Sequence, residues 1–405
     1  MNKGLKPGVR SAPFGGRFPW VGPLWIGCAI AFALALAGHS PSRAADWPQE
    51  TAAGTDALVA RFLAELDRQA PDLPKASLVY GIATDKGVLA AKGYREAAPG
   101  VPASPHTVYR IGSLAKQFTA AAVLDLVGRG ATLRDGTPVT LELPLSRVFS
   151  GVAHWPGLAS DLDKQRVTLR TLLTMTSNLP NFTRTPTASM NPWGRIAAPD
   201  LLSEIKKLTP SGWPNTFEYS NTSYFLLAEV IEEAVRPGAT APMAHRRYLR
   251  DVIFPAAGLA ETGFVDEPQT GAINAVAIPR SEPVFDQPDW LKGSADITSS
   301  IADLARWNAA LMGGRVIPVD LKRAMFSDGA RVTPDVYYGM GWFIEHAGGV
   351  DLYSHSGHVP GFTSYNIIAA HPETSDWMSV SVLINTDVGE GIDVLARDIL
   401  RLARQ

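Results

Sequence analysis

Apolar positions recur along this chain in two rhythms, one helical and one alternating, and the rhythm changes at glycine- and proline-rich punctuation. Residues 55–69 carry Leu58, Phe62 and Leu66 at helical spacing, which predicts an amphipathic helix. Two β-like runs follow, 77–83 and 88–94, joined by the turn signal Asp85-Lys86-Gly87. Residues 118–127 are apolar except for Thr119 and Asp125, too uniform for a surface helix, and Gly128-Arg129-Gly130 ends them. The stretch 224–235 pairs an apolar side with an acidic one (Glu229, Glu232, Glu233) and stops at Arg236-Pro237-Gly238. The capping pattern Ser300-Ile301-Ala302-Asp303 opens another helix, which closes at Gly313-Gly314. Strand patterns return around 352–356, 362–370 and 377–384, the last two joined across His371-Pro372-Glu373-Thr374. A final helix over 392–403 places Ile392, Leu395, Ile399 and Leu402 on one face.

Strands at both ends with helices between predict an α+β fold: an antiparallel sheet formed from both chain ends, flanked by helices, with a helical lobe inserted. The expected boundaries are an α/β lobe of about 50–118 and 280–405, and a mainly helical lobe of about 119–279. Sites in such chains lie where the lobes meet.

Composition narrows the class. The 405 residues are 46% hydrophobic and 19% charged, which excludes a disordered chain, a coiled coil and a collagen-like fibre. The length exceeds what one ordinary core holds. Residues 1–44 contain Lys3, Lys6, Arg10, Arg17 and Arg43 and no acid, so a net charge of −2 overall leaves −7 for the rest. A mildly acidic chain without a basic stripe argues against nucleic acid as a partner.

Those basic residues precede an apolar run from Leu24 to Ala37 and then Ser42-Arg43-Ala44. That is the pattern of a cleavable signal peptide over 1–44, with a periplasmic or secreted mature chain. An uncleaved anchor is the competing reading, since no charge lies between Arg17 and Arg43; only then would a membrane be a partner. Pro19 and Pro23 favour cleavage. The single cysteine, Cys28, lies inside the apolar run, so the mature chain has neither disulfide nor thiol chemistry.

Several chemistries lack their residues. There is no His-Glu-x-x-His, no cysteine ligand set, no phosphate-cradling glycine loop and no Gly-x-Ser-x-Gly elbow. His355 and His358 are three apart without a third ligand, so neither a metal nor another cofactor is expected. What remains is Ser-x-x-Lys, which occurs twice. Ser203-Glu204-Ile205-Lys206 lies in a polar stretch and reads as a solvated helix face. Ser113-Leu114-Ala115-Lys116 starts the most apolar helix. Residues three apart share a helix face, so the Lys116 amine reaches the Ser113 hydroxyl. Desolvation there lowers the lysine towards a usable base, and the helix N-terminus favours negative charge forming at the serine. The bland alternative is a capping Ser113 and a Lys116 that snorkels to solvent.

Two further elements join it. Tyr219-Ser220-Asn221 is the one place where a tyrosine is followed two residues later by asparagine. A phenol beside a lysine relays a proton, and an amide holds a substrate carbonyl, although Asn221 or Thr222 would also cap the helix that follows. Ser354-His355-Ser356-Gly357-His358-Val359-Pro360-Gly361-Phe362 is a strand whose Gly357 lets a substrate backbone approach. The His358 N–H joins that of Ser113 as a candidate oxyanion hole.

In this order the three elements resemble the serine β-lactamase and penicillin-binding-protein superfamily, in particular its branch of class C β-lactamases, D-Ala-D-Ala carboxypeptidases, D-amino-acid peptidases and esterases. The resemblance covers nearly all of the mature chain. It rests on Tyr109-Arg110-Ile111-Gly112-Ser113-Leu114-Ala115-Lys116-Gln117-Phe118-Thr119 and on Leu172-Leu173-Thr174-Met175-Thr176-Ser177-Asn178-Leu179-Pro180. Tyr338-Gly339-Met340-Gly341-Trp342 and 355–362 extend it. It implies an acyl-enzyme on Ser113, proton traffic shared by Lys116 and Tyr219 as one coupled unit, and Asn221 orienting the substrate. Two departures stand out. His355-Ser356-Gly357 replaces the Lys-Thr-Gly of class C β-lactamases, which turns the expectation from drug degradation towards peptidase, amidase or esterase activity on a small molecule or cell-wall peptide. Met175 and Asn178 replace a usual His and Gly in a loop expected to support the site. If His355 meets an anionic group as a cation, affinity should fall as pH rises. A class C-like β-lactamase and a non-catalytic binder of cell-wall fragments or protein are the alternatives.

Overall fold

The computed structural model describes residues 49–149, 166–184, 198–210, 216–235, 243–267, 271–280, 288–388 and 391–405. The leader-like segment 1–44 with Cys28, the stop at Arg236-Pro237-Gly238 and residues 212–215 before Tyr219 lie outside them.

Helix α1 (Gln49–Gln69) leads into the hairpin of β1 (Leu78–Thr84) and β2 (Gly87–Tyr94). Helices α2 (Ala115–Gly128), α3 (Asn221–Val235) and α4 (Ile301–Met312) occupy the middle. Short strands β3 (Ala330–Arg331), β4 (Val336–Tyr338) and β5 (Phe343–Ala347) precede the long β6 (Val350–Val359), β7 (Phe362–Ala370) and β8 (Trp377–Ile384), and α5 (Ile392–Ala403) closes the chain. The strands form one eight-stranded antiparallel sheet in the order β2-β1-β8-β7-β6-β5-β4-β3. Its seam between the two ends of the chain runs from Leu78 opposite Ile384 to Thr84 opposite Met378.

The period-2 pattern of β1 explains both faces. Tyr80 and Ile82 face Val59 and Leu63 of α1 and Leu395 and Ile399 of α5, in a core shared with Tyr365, Ile367 and Val382. Val79 and Ala83 belong to the opposite core, with Ile301, Leu304 and Trp307 of α4. Behind α4, Phe118 of α2 stacks on Trp307 with ring centroids 4.1 Å apart. Every residue from Ala115 to Leu126 is buried, as the uniform apolar run requires. Leu402, expected on the apolar face of α5, is half-buried, and Leu400 takes its place in the core. Ser300 accepts from the Asp303 amide as a cap, but the Asp303 carboxylate turns away to Ala260, Glu261 and Thr262, so the capping box is half built.

Helix α3 meets charge that comes from a distant segment of the chain. Its acidic side does not face solvent: Glu229 and Glu232 are buried against Lys292, and Glu232 also meets His245. Charge periodicity reads as exposure only where no distant cation comes in to meet it.

Candidate active site

Ser113 sits in a single 3-10 turn, Gly112–Leu114, that feeds α2. No side chain caps either the turn or α2, so Ser113 is not an N-cap. Lys116, in the first turn of α2, is fully buried and does not snorkel. Its Nζ lies 3.0 Å from Ser113 Oγ, 2.8 Å from Asn221 Oδ1 and 3.0 Å from the Ser294 carbonyl. The Asn221 amide nitrogen donates to Thr183 Oγ1, which fixes its oxygen towards Lys116. Burial drives Lys116 well below an ordinary lysine pKa, against the opposing charge of Asp296. A neutral amine has two hydrogens and one lone pair. In that neutral form the Asn221 and Ser294 oxygens, which only accept, would take both hydrogens and leave the lone pair for the Ser113 hydroxyl proton.

Tyr219 is hydrogen-bonded to the Ser113 side chain, and its ring lies 5.0 Å from Lys116 Nζ. Burial pushes its phenol up, against weaker lowering by that hydrogen bond and by the Arg184 charge. The segment Thr174–Thr183 holds Tyr219 and Asn221 in place. Glu218 N donates to Met175 O, Thr222 Oγ1 to Pro180 O, and Asn221 N to Asn181 Oδ1. Met175 and Asn178, the two departures in this segment, both take left-handed backbone at φ 55, where asparagine is the better tolerated. Met175 O accepts from Glu218 N and Asn178 Nδ2 donates to Thr216 O, so both are tied to the segment that leads into Tyr219.

The third side is β6. Strand β5 pairs with it only as far as Ser354, so the flank of residues 355–358 away from β7 is left open. The β6–β7 hairpin closes at Val359 opposite Phe362. The antiparallel alternation then points the backbone N–H and C=O of Ser356 and His358 away from β7, towards that open flank. Gly357 brings the strand against the serine turn: a Cβ there would lie 2.0 Å from the Ile111 carbonyl oxygen. Gly112, at φ +52, completes the close approach, since its own Cβ would lie 2.6 Å from His358 N. Asp387 holds the end of the strand, accepting from Gly361 N and meeting His358 Nε2 at 3.0 Å. Ser113, Lys116, Tyr219, Asn221, Gly357 and His358 thus converge through these contacts, and the His355 ring lies 6.1 Å from that of Tyr219. Ser356 shares the strand, its carbonyl meeting the His355 ring.

His355 is held in its neutral form by its surroundings. It is buried, with Nδ1 2.6 Å from the Ser356 carbonyl and Nε2 3.2 Å from Tyr338 Oη. A carbonyl only accepts, so Nδ1 carries the hydrogen and Nε2 accepts from Tyr338. Burial, reinforced by the nearby Lys116, lowers its pKa to about 3. A neutral ring cannot anchor a substrate carboxylate as a cation. Substrate affinity should therefore show no His355 titration between pH 5 and 8; a KM that climbs across that window, and flattens in His355→Gln, would contradict this.

The second Ser-x-x-Lys does not form a site, though not for the expected reason. Ser203 is exposed, while Lys206, beyond the end of its helix, is buried with Nζ 5.1 Å from the Phe149 ring centre. An apolar stem beside an aromatic face outweighs exposure there. Sequence reasoning missed Ser294, Thr183 and the role of Tyr338. Ser294 acts through its backbone, which leaves no residue signal.

The described residues contain no group of three His, Cys, Asp or Glu able to hold a metal ion, and no helix among them is long and apolar enough to cross a membrane.

Residues 60–405 match the Beta-lactamase family model, and the chain belongs to that family, a fold class whose members are generally serine hydrolases. A putative penicillin-binding protein, PbpX, of Bacillus subtilis (strain 168) is 26% identical over 76% of this chain and 70% of its own length. Penicillin-binding protein 4* of the same organism is also 26% identical, over 68% of this chain and 61% of its length. Among solved structures, the octameric penicillin-binding protein homologue from Pyrococcus abyssi superposes with a TM-score of 0.68 at 23% identity, over 87% of this chain and 77% of that one. The D-amino acid amidase from Ochrobactrum anthropi SV3, complexed with L-phenylalanine amide, gives 0.64 at 19%, over 86% and 97%. At those identities the two structures speak for the fold alone.

Proposed function

We propose that this protein is an exported serine hydrolase that opens an amide or ester through an acyl-enzyme on Ser113. The observation that carries the reading is the buried Lys116 amine, within hydrogen-bond distance of Ser113 Oγ, Asn221 Oδ1 and the Ser294 carbonyl at once. Ser113 Oγ attacks the carbonyl carbon and its proton passes to Lys116. The oxyanion forms against the N–H groups of Ser113 and His358. Tyr219 and Lys116 return the proton to the departing amine or alcohol as the carbonyl–leaving-group bond breaks. Water then attacks the ester, giving up a proton to the same pair, and Ser113 is regenerated. Asn221 has a second task, since its oxygen steadies Lys116.

The neutral His355 favours substrates that are uncharged next to the scissile carbonyl, such as D-aminoacyl amides and simple esters, over β-lactams that present a carboxylate there. The leader-like segment 1–44 supports export. Protein recovered from the periplasm should begin near Ala45 on N-terminal sequencing.

The test is an intact-mass time course with a neutral fluorophosphonate and with benzylpenicillin, beside turnover of p-nitrophenyl acetate and D-phenylalanine amide. Phosphonylation at Ser113 and turnover of a neutral substrate are expected, with benzylpenicillin reacting slowly. Benzylpenicillin consumed without a lasting adduct would instead select a β-lactamase. A protein inert to every probe would mean a binding module. The rate should rise with pH through the Lys116 titration, whose midpoint lies well below that of an exposed lysine because burial disfavours the ammonium form. A midpoint near 10.5 would remove Lys116 as the base.

A further inference from the structure

Ser294 O, the carbonyl that takes one Lys116 hydrogen, lies on a buried turn between α2 and α3, and that turn is organised around a charge. From α2, Lys116 Nζ donates to Ser294 O and Thr119 Oγ1 donates to Gly293 O at 2.7 Å. Inside the turn, Gly293 N donates to Asp296 Oδ1 at 3.1 Å. The other carboxylate oxygen lies 3.3 Å from both His245 Nε2 and Arg246 Nε. His245 Nδ1 is in turn 2.9 Å from Glu232, which pairs with Lys292 at the head of the same turn. Asp296, His245, Arg246 and Lys292 are all buried. No hydrogen bond joins Asp296 to Lys116 or Ser113, so its influence passes through the turn and through its charge.

Of the titratable groups facing Lys116, Tyr219 and Tyr224 on the α3 side stay neutral, and so does His355 on β6. Asp296 is the anion: burial works to raise its carboxyl, but His245 and Arg246 outweigh that and hold it ionised. A carboxylate with donors on both oxygens is fixed in place, and a fixed charge in a dry site acts strongly on its neighbours.

We propose that Asp296 is a positioning residue of the Ser113–Lys116 site, locking residues 292–296 so that the Ser294 carbonyl takes one Lys116 hydrogen and presenting to that amine its buried negative counter-charge. The inference rests on the reading of Ser113 as nucleophile.

The experiment measures the rate of Ser113 phosphonylation by a neutral fluorophosphonate from pH 5 to 9. It compares the full chain with Asp296→Asn, Thr119→Val and Glu345→Gln, with folding followed by circular dichroism. In Asp296→Asn the high-pH plateau falls about tenfold. Its midpoint moves to lower pH, because the protonated amine has lost its counter-charge. Thr119→Val, which releases the turn but keeps the charge, lowers the plateau and leaves the midpoint in place. Glu345→Gln breaks a remote ion pair with Arg397 and lowers the melting temperature without changing either kinetic quantity. A folded Asp296→Asn with wild-type plateau and midpoint, or one that behaves like Glu345→Gln, overturns the proposal. If Asp296→Asn does not fold, Thr119→Val decides: a wild-type plateau in that variant overturns the proposal. A wild type that takes no phosphonate at Ser113 refutes the parent reading, and this inference falls with it.

Discussion

Ser113→Ala lowers kcat on a neutral ester by at least about a thousandfold and moves the melting temperature by no more than a few degrees. The two halves of this expectation have separate causes. Without the hydroxyl there is no atom to carry the acyl group, and Lys116 has no proton to take. The fold, however, loses little. Ser113 is only half-buried and packs no core, and Lys116 keeps its bonds to Asn221 and Ser294. A single net hydrogen bond contributes about 1 kcal/mol. Turnover measured beside thermal unfolding separates the two, and full-rate hydrolysis by the variant would end the acyl-enzyme reading.

Gly357→Ala is the second large effect, and it reaches the site through the backbone. The added methyl would lie 2.0 Å from the Ile111 carbonyl oxygen and 2.3 Å from Ser364 Oγ. Ser364 could rotate, but its hydroxyl already donates to that same carbonyl at 2.8 Å. The Ile111 carbonyl belongs to the turn that presents Ser113 and has no side-chain freedom with which to yield. Strand β6 therefore has to move away from the turn, which carries the His358 N–H away from Ser113. We expect a loss of more than about 3 kcal/mol of stability and about a hundredfold in kcat. Calorimetry and steady-state kinetics on one preparation check both. A fully active variant of unchanged stability would show that strand and turn are not in contact.

What the sequence made legible follows from how far each signal reaches along the chain. The strands over 362–370 and 377–384 emerge within their predicted bounds, because long apolar runs between turns leave little alternative. Ser113 and Lys116 were legible for a similar reason: residues three apart on an apolar helix share a face whatever surrounds them. The strands β3, β4 and β5 were not seen, since two to five residues are too few for alternation to register. The burial of Glu229 and Glu232 was missed because their partner Lys292 lies far along the chain, and local charge patterning cannot know of it. His355 reads as a mostly neutral histidine from sequence alone, but what keeps it neutral is not legible there. Its charge state is decided by the enclosing rings of Phe343, Tyr338 and Tyr219, which come from three separate segments.

The seam between β1 and β8 bears on how such a chain can be made. Ser77 N donates to Asn385 Oδ1 across 308 positions of sequence, and the strands beside them pair along their full length. On a ribosome the first strand of the sheet waits for almost the last. Until β8 emerges, β1 and β2 form a lone hairpin, which is marginal in water and offers an unpaired apolar edge to any other strand that meets it. Contacts of such long range make folding slow. A chain cut short before residue 377 lacks the strand that joins β1 to β7, and so has no complete sheet on which to assemble Ser113, Lys116 and β6.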